Sequence, residues 1–316
     1  MNKRVVITGA AGMIGIALAG QCVAQGQAVL AICHRGSSHN QVLRGMSGVE
    51  VLEADLEQYA LLAQRQWEGK YDVFFHLAWA GTTGNARNDM ALQADNIRYT
   101  LEAVEMAEHM GCHTFVGVGS QAEYGRSQET LRPGTPTFPE TGYGMAKLCA
   151  GQMSCYSCKN KGIRHIWARV LSVYGPYGRN DMITSAIQKL LQGEHACFTA
   201  GEQVWDYLYS EDAAYALWLM AERGVSGKTY VLGKGQSYPL KEYLDILYRV
   251  VCEEMDGKGR RVGTVGIGEL PYGECQLMHL AGDVTELCQD TGFVPRVSFE
   301  EGIRRLLLQL LTCAEE

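Results

Sequence analysis

Proline is scarce, 7 of 316 residues, so little interrupts helices or strands and a Pro-rich spacer between independent modules is excluded. Basic charge is in deficit: 28 Lys and Arg against 35 Asp and Glu leave a net charge of −7. That balance offers no cationic field to nucleic acid or to an anionic membrane surface. Long apolar runs are missing too, and none approaches the ~20 residues that span a bilayer. The 11 cysteines are odd in number and irregular in spacing, which fits reduced thiols better than a disulfide framework. Cys155 and Cys158 have C-x-x-C spacing but lie in an apolar helical stretch with no second pair, so helix packing is expected there and no metal. The opening MNKRVVITGAAGMIG carries basic residues before small apolar ones, yet its glycines and VVIT suit a first β-strand. A cytoplasmic protein is expected.

What is present is alternation. RVVIT (4–8), AVLAIC (28–33), VEVLEA (49–54), DVFFHLA (72–78), HTFVGVG (113–119) and HIWARVLS (165–172) are near-continuous apolar runs of strand length. Such runs suit a parallel sheet buried on both faces. Helical patterns at 12–25, 56–66, 86–110 and 141–161 separate them, which predicts βαβ units in a doubly wound α/β fold. After residue 175 the rhythm loosens into an α+β pattern. Helices are expected near 180–192, 211–223 and 239–254, with strands near 196–199, within 204–210, at 229–233 and near 260–265. The expected division is a dinucleotide-binding part, 1–175, and a smaller substrate-binding part, 176–316, interleaved around one cleft.

T-G-A-A-G-M-I-G follows the first strand and opens the first helix. Gly9 permits the tight turn, Gly12 admits a pyrophosphate, and Gly15 allows close helix–sheet packing, with the helix N-terminus facing the phosphates. A dinucleotide site follows from this context. At the end of the second strand an acidic residue would hold the ribose 2′-hydroxyl of NAD. That segment reads CHRGSSHN, with His34, Arg35, Ser37 and Ser38 and no carboxylate. A guanidinium there can pair a 2′-phosphate, so NADP(H) is favoured and NAD(H) is the alternative. Asp55 and Leu56, after the third strand, are placed to meet the adenine.

Ser120 ends the strand HTFVGVGS, and Tyr143 and Lys147 stand four apart on one helix face. An ammonium near a phenol favours phenolate, so Tyr143 can move a proton while Ser120 hydrogen-bonds the same substrate oxygen. The set is suited to hydride exchange at a carbinol or ketone.

TGAAGMIG, the Asp55-Leu56 pair, FFHLAWAG, the helix holding Asn96, GSQAEYG, YGMAK, RVLSVYGPYG and WDYLYSEDAA together resemble an extended short-chain dehydrogenase/reductase of the NAD-dependent epimerase/dehydratase family. The resemblance covers essentially the whole chain. It implies a Rossmann-type sheet with a smaller C-terminal domain and Ser120, Tyr143 and Lys147 as the catalytic set. It further implies Met13, Ile14, Leu77, Ala78 and Trp79 at the cofactor, and a nucleotide-linked sugar as substrate. A homodimer through the helices at 86–110 and 141–161 is implied as well, with Leu101, Val104, Met153 and Tyr156 as interface candidates.

Two departures qualify this. Where sugar 4,6-dehydratases carry an Asp-Glu pair for elimination, this chain has Gln121 and Ala122, which cannot exchange protons as carboxyls do. Glu123 is one residue further along and, on an extended segment, would point the other way. Trp205 stands where relatives often have an arginine for the diphosphate. The substrate-side candidates are therefore Gln121, Tyr174, Arg179, Asn180 and Trp205. A keto-sugar reductase using NADP(H) is preferred, with a 4-epimerase holding NAD as the alternative. A catalytically inactive dinucleotide-sensing regulator is the reading from another class, and retention of Tyr143 and Lys147 argues against it.

Overall fold

The computed structural model of the chain describes residues 3–178, 181–274 and 276–315, with side chains through 312. The strands in chain order are β1 (Arg4–Thr8), β2 (Ala28–Cys33), β3 (Val49–Glu53), β4 (Val73–His76), β5 (Thr114–Ser120), β6 (Arg164–Val170), β7 (Ser172–Tyr174), β8 (His195–Phe198), β9 (Val204–Trp205), β10 (Tyr207–Tyr209), β11 (Thr229–Leu232), β12 (Tyr238–Pro239), β13 (Thr264–Ile267) and β14 (His279–Leu280). The helices are α1 (Met13–Ala24), α2 (Asn40–Arg44), α3 (Tyr59–Ala63), α4 (Met90–His109), α5 (Gly142–Asn160), α6 (Met182–Leu191), α7 (Ser210–Arg223), α8 (Leu240–Asp256), α9 (Thr285–Thr291) and α10 (Phe299–Glu315).

Seven strands form one parallel sheet in the order β11-β6-β5-β4-β1-β2-β3. The order reverses between β1 and β4, and a crevice opens at such a switch point beyond the strands' C-terminal ends. In register, Val5 faces Val29 of β2 and Val73 of β4, so apolar side chains stack into a core on each side of the sheet. One core packs Ile7, Leu18 and Phe75 with Leu217 of α7; the other packs Phe74, Phe115, Val104 and Met106.

The second half does not stand apart. β11 joins the main sheet beside β6, and α7 packs on α1. A separate core of Tyr174, Tyr207, Tyr209, Tyr243, Phe299 and Leu247 holds the remainder together.

Several elements differ from expectation. The 165–172 strand is two strands, β6 in the main sheet and β7 paired with β10, with Leu171 between them. The 204–210 segment likewise breaks at Asp206, whose buried carboxylate accepts the amides of Lys234 (2.7 Å) and Gly235 (2.9 Å). The 86–110 helix begins as a 3-10 turn (Gly84–Asn88) and restarts where Asp89 caps the Leu92 amide. Likewise 56–66 is a 3-10 turn followed by the short α3.

Candidate active site

The glycine turn is built against the far side of the switch point. A side chain on Gly9, whose φ is +68°, would strike the Ala78 amide nitrogen at 2.7 Å. One on Gly15 would strike the Gly9 carbonyl at 2.5 Å. Both glycines are thus required by the protein's own packing. Gly12 differs: an added Cβ would approach only the Gly9 carbonyl, at 3.4 Å. Gly12 caps α1 without any side-chain bond, and the helix's first turn carries no acidic residue. Open space beside uncapped amides at a helix N-terminus is what a diphosphate needs, so the turn fits a dinucleotide. Met13 and Ile14 begin the helix, while Leu77 and Ala78 end β4, their amides tied to Thr8.

The segment at the end of β2 holds no acidic residue of its own, but a carboxylate reaches it from the next strand. Asp55, arriving from β3, accepts the Arg35 backbone amide at 3.0 Å and contacts His34 Nδ1 at 2.7 Å. The Arg35 guanidinium also leans toward it, Nε to Oδ2 being 3.9 Å. The backbone bond to Arg35, ahead of the His34 and Arg35 charges, holds the Asp55 carboxyl below the usual carboxylate range. A 2′-phosphate arriving here would meet this negative charge as well as Arg35. Asp55 also caps the turn that Leu56 begins, and Ser38 is exposed nearby. His39, which the sequence did not single out, bonds the Ala11 carbonyl of the glycine turn at 3.0 Å and packs edge-on against Tyr177.

Ser120, Tyr143 and Lys147 come together at the C-terminal end of β5. Thr141 caps α5 on the Gly144 amide, which sets Tyr143 in the helix's first turn. Tyr143 is 9% exposed and Lys147 3%, so both are nearly dry. Burial pushes the Tyr143 phenol up, while a hydrogen bond with Ser120 and the Arg87 charge pull it down. Burial drags Lys147 to about 7, opposed by the Glu123 charge. Its ammonium donates to the Val118 carbonyl at 2.6 Å.

Two further residues frame the tyrosine. The Arg87 guanidinium lies 4.3 Å over the Tyr143 ring and is held there by the Thr82 carbonyl at 2.9 Å. Trp79 meets Tyr143 edge-on at 6.0 Å, lies 3.7 Å from the Lys147 nitrogen, and is anchored through its N–H to Gln93 at 2.9 Å. Arg87 carries no motif, and only the tertiary approach of the 84–88 turn to α5 reveals it.

The GSQAEYG segment turns where it was expected to run extended. Residues Gln121–Glu123 form a 3-10 turn in which Glu123 is fully buried. Its carboxylate accepts the Ser120 amide (2.9 Å), the Trp167 N–H (3.0 Å) and Arg169 Nε (2.7 Å). Gly117 and Gly119 make this possible, since a Cβ on either would meet the Trp167 indole at 2.3 Å. Glu123 thus holds the Ser120 backbone, and its carboxylate is engaged by three donors. Ala122 is buried and Gln121 is half-buried beside Ser120.

The substrate-side candidates lie in different settings. Tyr174 is 1% exposed in the second core, and its hydroxyl donates to the Phe299 carbonyl at 3.2 Å. The bend into β7 turns it inward, against Tyr207, Tyr209 and Phe299. Trp205 is half-buried, with its N–H given to Ser172 Oγ at 2.7 Å. Arg179 and Asn180 lie outside the described residues.

A family model described as "NAD dependent epimerase/dehydratase family" matches residues 5–233. The chain belongs to that family. It is 23% identical over 316 residues to a UDP-glucuronate 4-epimerase of Thermodesulfobacterium geofontis, covering 95% of this chain and 94% of the other. The fold matches a UDP-N-acetylglucosamine 4-epimerase of Methanobrevibacter ruminantium in complex with UDP-N-acetylmuramic acid, at TM-score 0.85, 22% identity and 99% of each chain. It also matches a Bacillus cereus UDP-glucuronic acid 4-epimerase in complex with UDP-glucuronic acid and NAD, at TM-score 0.81, 21% identity, 98% of this chain and 99% of that one. The family is one of enzymes, and the parallel sheet described above matches those structures. Among the described residues, no helix is long and apolar enough to cross a membrane.

Proposed function

We propose that the chain is an NAD-dependent nucleotide-sugar 4-epimerase. The observation that carries this is the setting of Tyr143 as the proton carrier beside Ser120. Among the described residues, Tyr143 stands beside Ser120 with no free carboxyl next to it, because Gln121 and Ala122 occupy the elimination positions and Glu123 is bonded to Arg169. One reversible acid–base group suits removal and return of hydrogen at one carbinol, and elimination of water lacks its usual groups. When bound at the glycine turn, a nicotinamide dinucleotide supplies hydride acceptance and return. Tyr143 takes the carbinol proton as the ketone forms and returns it as the alcohol is restored. Ser120 holds the oxygen, and Lys147 stabilises the phenolate while protonated.

The reductase preferred from sequence rested on a missing carboxylate near β2, and Asp55 removes that support. Resident NAD is favoured over NADP(H) for the same reason. Likeness to enzymes named for UDP-sugars supports a nucleotide-linked hexose or hexuronate as substrate.

Incubation with UDP-hexoses and UDP-hexuronates, read by NMR at C4, should show inversion without net change in nicotinamide absorbance. Tyr143→Phe should abolish this and leave dinucleotide binding nearly intact. Stoichiometric NADPH consumption on a 4-keto sugar, without interconversion of epimers, would restore the reductase reading.

A further inference from the structure

β8 and β13 pair in parallel, with His195 opposite Thr264 and Cys197 opposite Gly266. The two-residue period of a strand puts His195 and Cys197 on one face, while Ala196, 1% exposed, points into the protein. Beyond β13 the chain reverses at Gly268, whose φ is +86°. The amides of Gly268, Glu269 and Leu270 all reach the Phe198 carbonyl, at 3.1, 3.0 and 3.1 Å, which ties the turn to the end of β8. Glu269 then folds back over Gly266, where an added Cβ would come within 2.2 Å of its carboxylate. A glycine at 266 is thus the condition for that carboxylate to lie beside the histidine and the thiol.

We propose that His195, Cys197 and Glu269 form a three-ligand site for a divalent transition-metal ion, with zinc as the favoured occupant. The ligand atoms of the three side chains lie within 4.8 Å of one another. Small rotations bring them to bonding distances of about 2.0–2.3 Å around one ion. His195 Nε2 faces Glu269 Oε2 at 2.7 Å, and its other nitrogen is held by Thr264 Oγ1 at 2.6 Å. An oxygen partner on the far nitrogen is how metal-binding imidazoles have their tautomer and ring orientation set. Mixed nitrogen, sulfur and oxygen donors suit zinc, whereas magnesium and calcium require oxygen alone. An exposed His–Glu pair contributes little by itself. The glycine clearance, the triple amide anchor and the threonine prop all converge on it, with a thiol on the same face. On binding, the Cys197 thiol proton goes to solvent, and the fourth tetrahedral place is left to water. The ion would pin the 268–270 turn to β8. None of these residues belongs to the catalytic cluster, so this site is independent of the epimerase reading.

The test uses the whole chain, freed of metal by a chelator and titrated with Zn2+ against a chromophoric competitor. One equivalent should bind, and the thermal midpoint should rise with Zn2+ but not with Mg2+. Co2+ in its place should give a thiolate-to-cobalt charge-transfer band, absent in Cys197→Ser. His195→Ala should weaken binding at least as much as Thr264→Val, which removes only the prop and should weaken it about tenfold. Circular dichroism checks that each variant is folded. Failure to bind one equivalent, or Zn2+ binding and a cobalt band unchanged in Cys197→Ser, would overturn the site.

Discussion

Tyr143 is surrounded by charge that the sequence distributes over distant segments. Arg87 faces its ring, Lys147 stands one turn along α5, Ser120 bonds its hydroxyl, and Glu123 lies behind Ser120. Because Lys147 titrates near 7, it supplies only part of a charge at neutral pH, whereas a guanidinium remains cationic. Arg87→Ala should therefore move the rising limb of the pH–rate profile, which reports phenolate formation, to higher pH, and Arg87→Lys should partly restore it. A limb that stays in place would reduce Arg87 to packing. Lys147 has a second consequence. Its folded pKa of about 7 lies below its ordinary 10.5, so between these values the unfolded chain binds more protons than the folded one. Its contribution makes stability rise with pH across that window, and the penalty of burying the ammonium is fully present below it. Lys147→Met should flatten the increase in thermal midpoint of the apoprotein between pH 7 and 8.5, relative to wild type. Comparing the two proteins cancels the buried thiols such as Cys22, raised to about 12, which act in the opposite sense at higher pH.

At the scale of elements, the junction of β5 with its 3-10 turn depends on β6. Trp167 crosses Gly117 and Gly119 to reach Glu123, and Arg169 reaches the same carboxylate. Removing one partner of so buried a pair leaves the other charge uncompensated and costs about 3–5 kcal/mol. Glu123→Ala should lower unfolding free energy by roughly that amount in urea titration. It should also reduce kcat more than it changes substrate affinity, because Ser120 loses its anchor. An undiminished kcat would show that Ser120 is held by other means. The two breaks between successive strands share one cause. The β6/β7 run is continuous as an apolar pattern and the β9/β10 run is interrupted only by Asp206, and each divides because a bend at Leu171 or Asp206 transfers the chain to another sheet.

For the whole molecule, α4 and α5 lie side by side and leave Met145, Met153 and Tyr156 exposed on α5, the last at 70%. Val104, expected at an interface, is wholly buried in the chain's own core, and Leu101 is half-buried. Three large apolar side chains along one helix favour a second copy of the chain as partner. Tyr156→Arg should convert a dimer to monomer in light scattering at micromolar concentration. A wild-type monomer under the same conditions would end that expectation.

Local chemistry was enough to determine the glycine turn, the buried strands and the shared helix face of Tyr143 and Lys147, because each depends on neighbours in sequence. Glycine spacing sets a turn, apolar runs set buried strands, and a four-residue step sets one helix face. Tertiary structure alone decided where Asp55, Glu123, Arg87 and Tyr174 would act. Each meets its partner across 20 to 125 positions or across a turn that periodicity does not encode. A carboxylate's role is set by the charge it meets, and that is known only when the sheet has brought the two together.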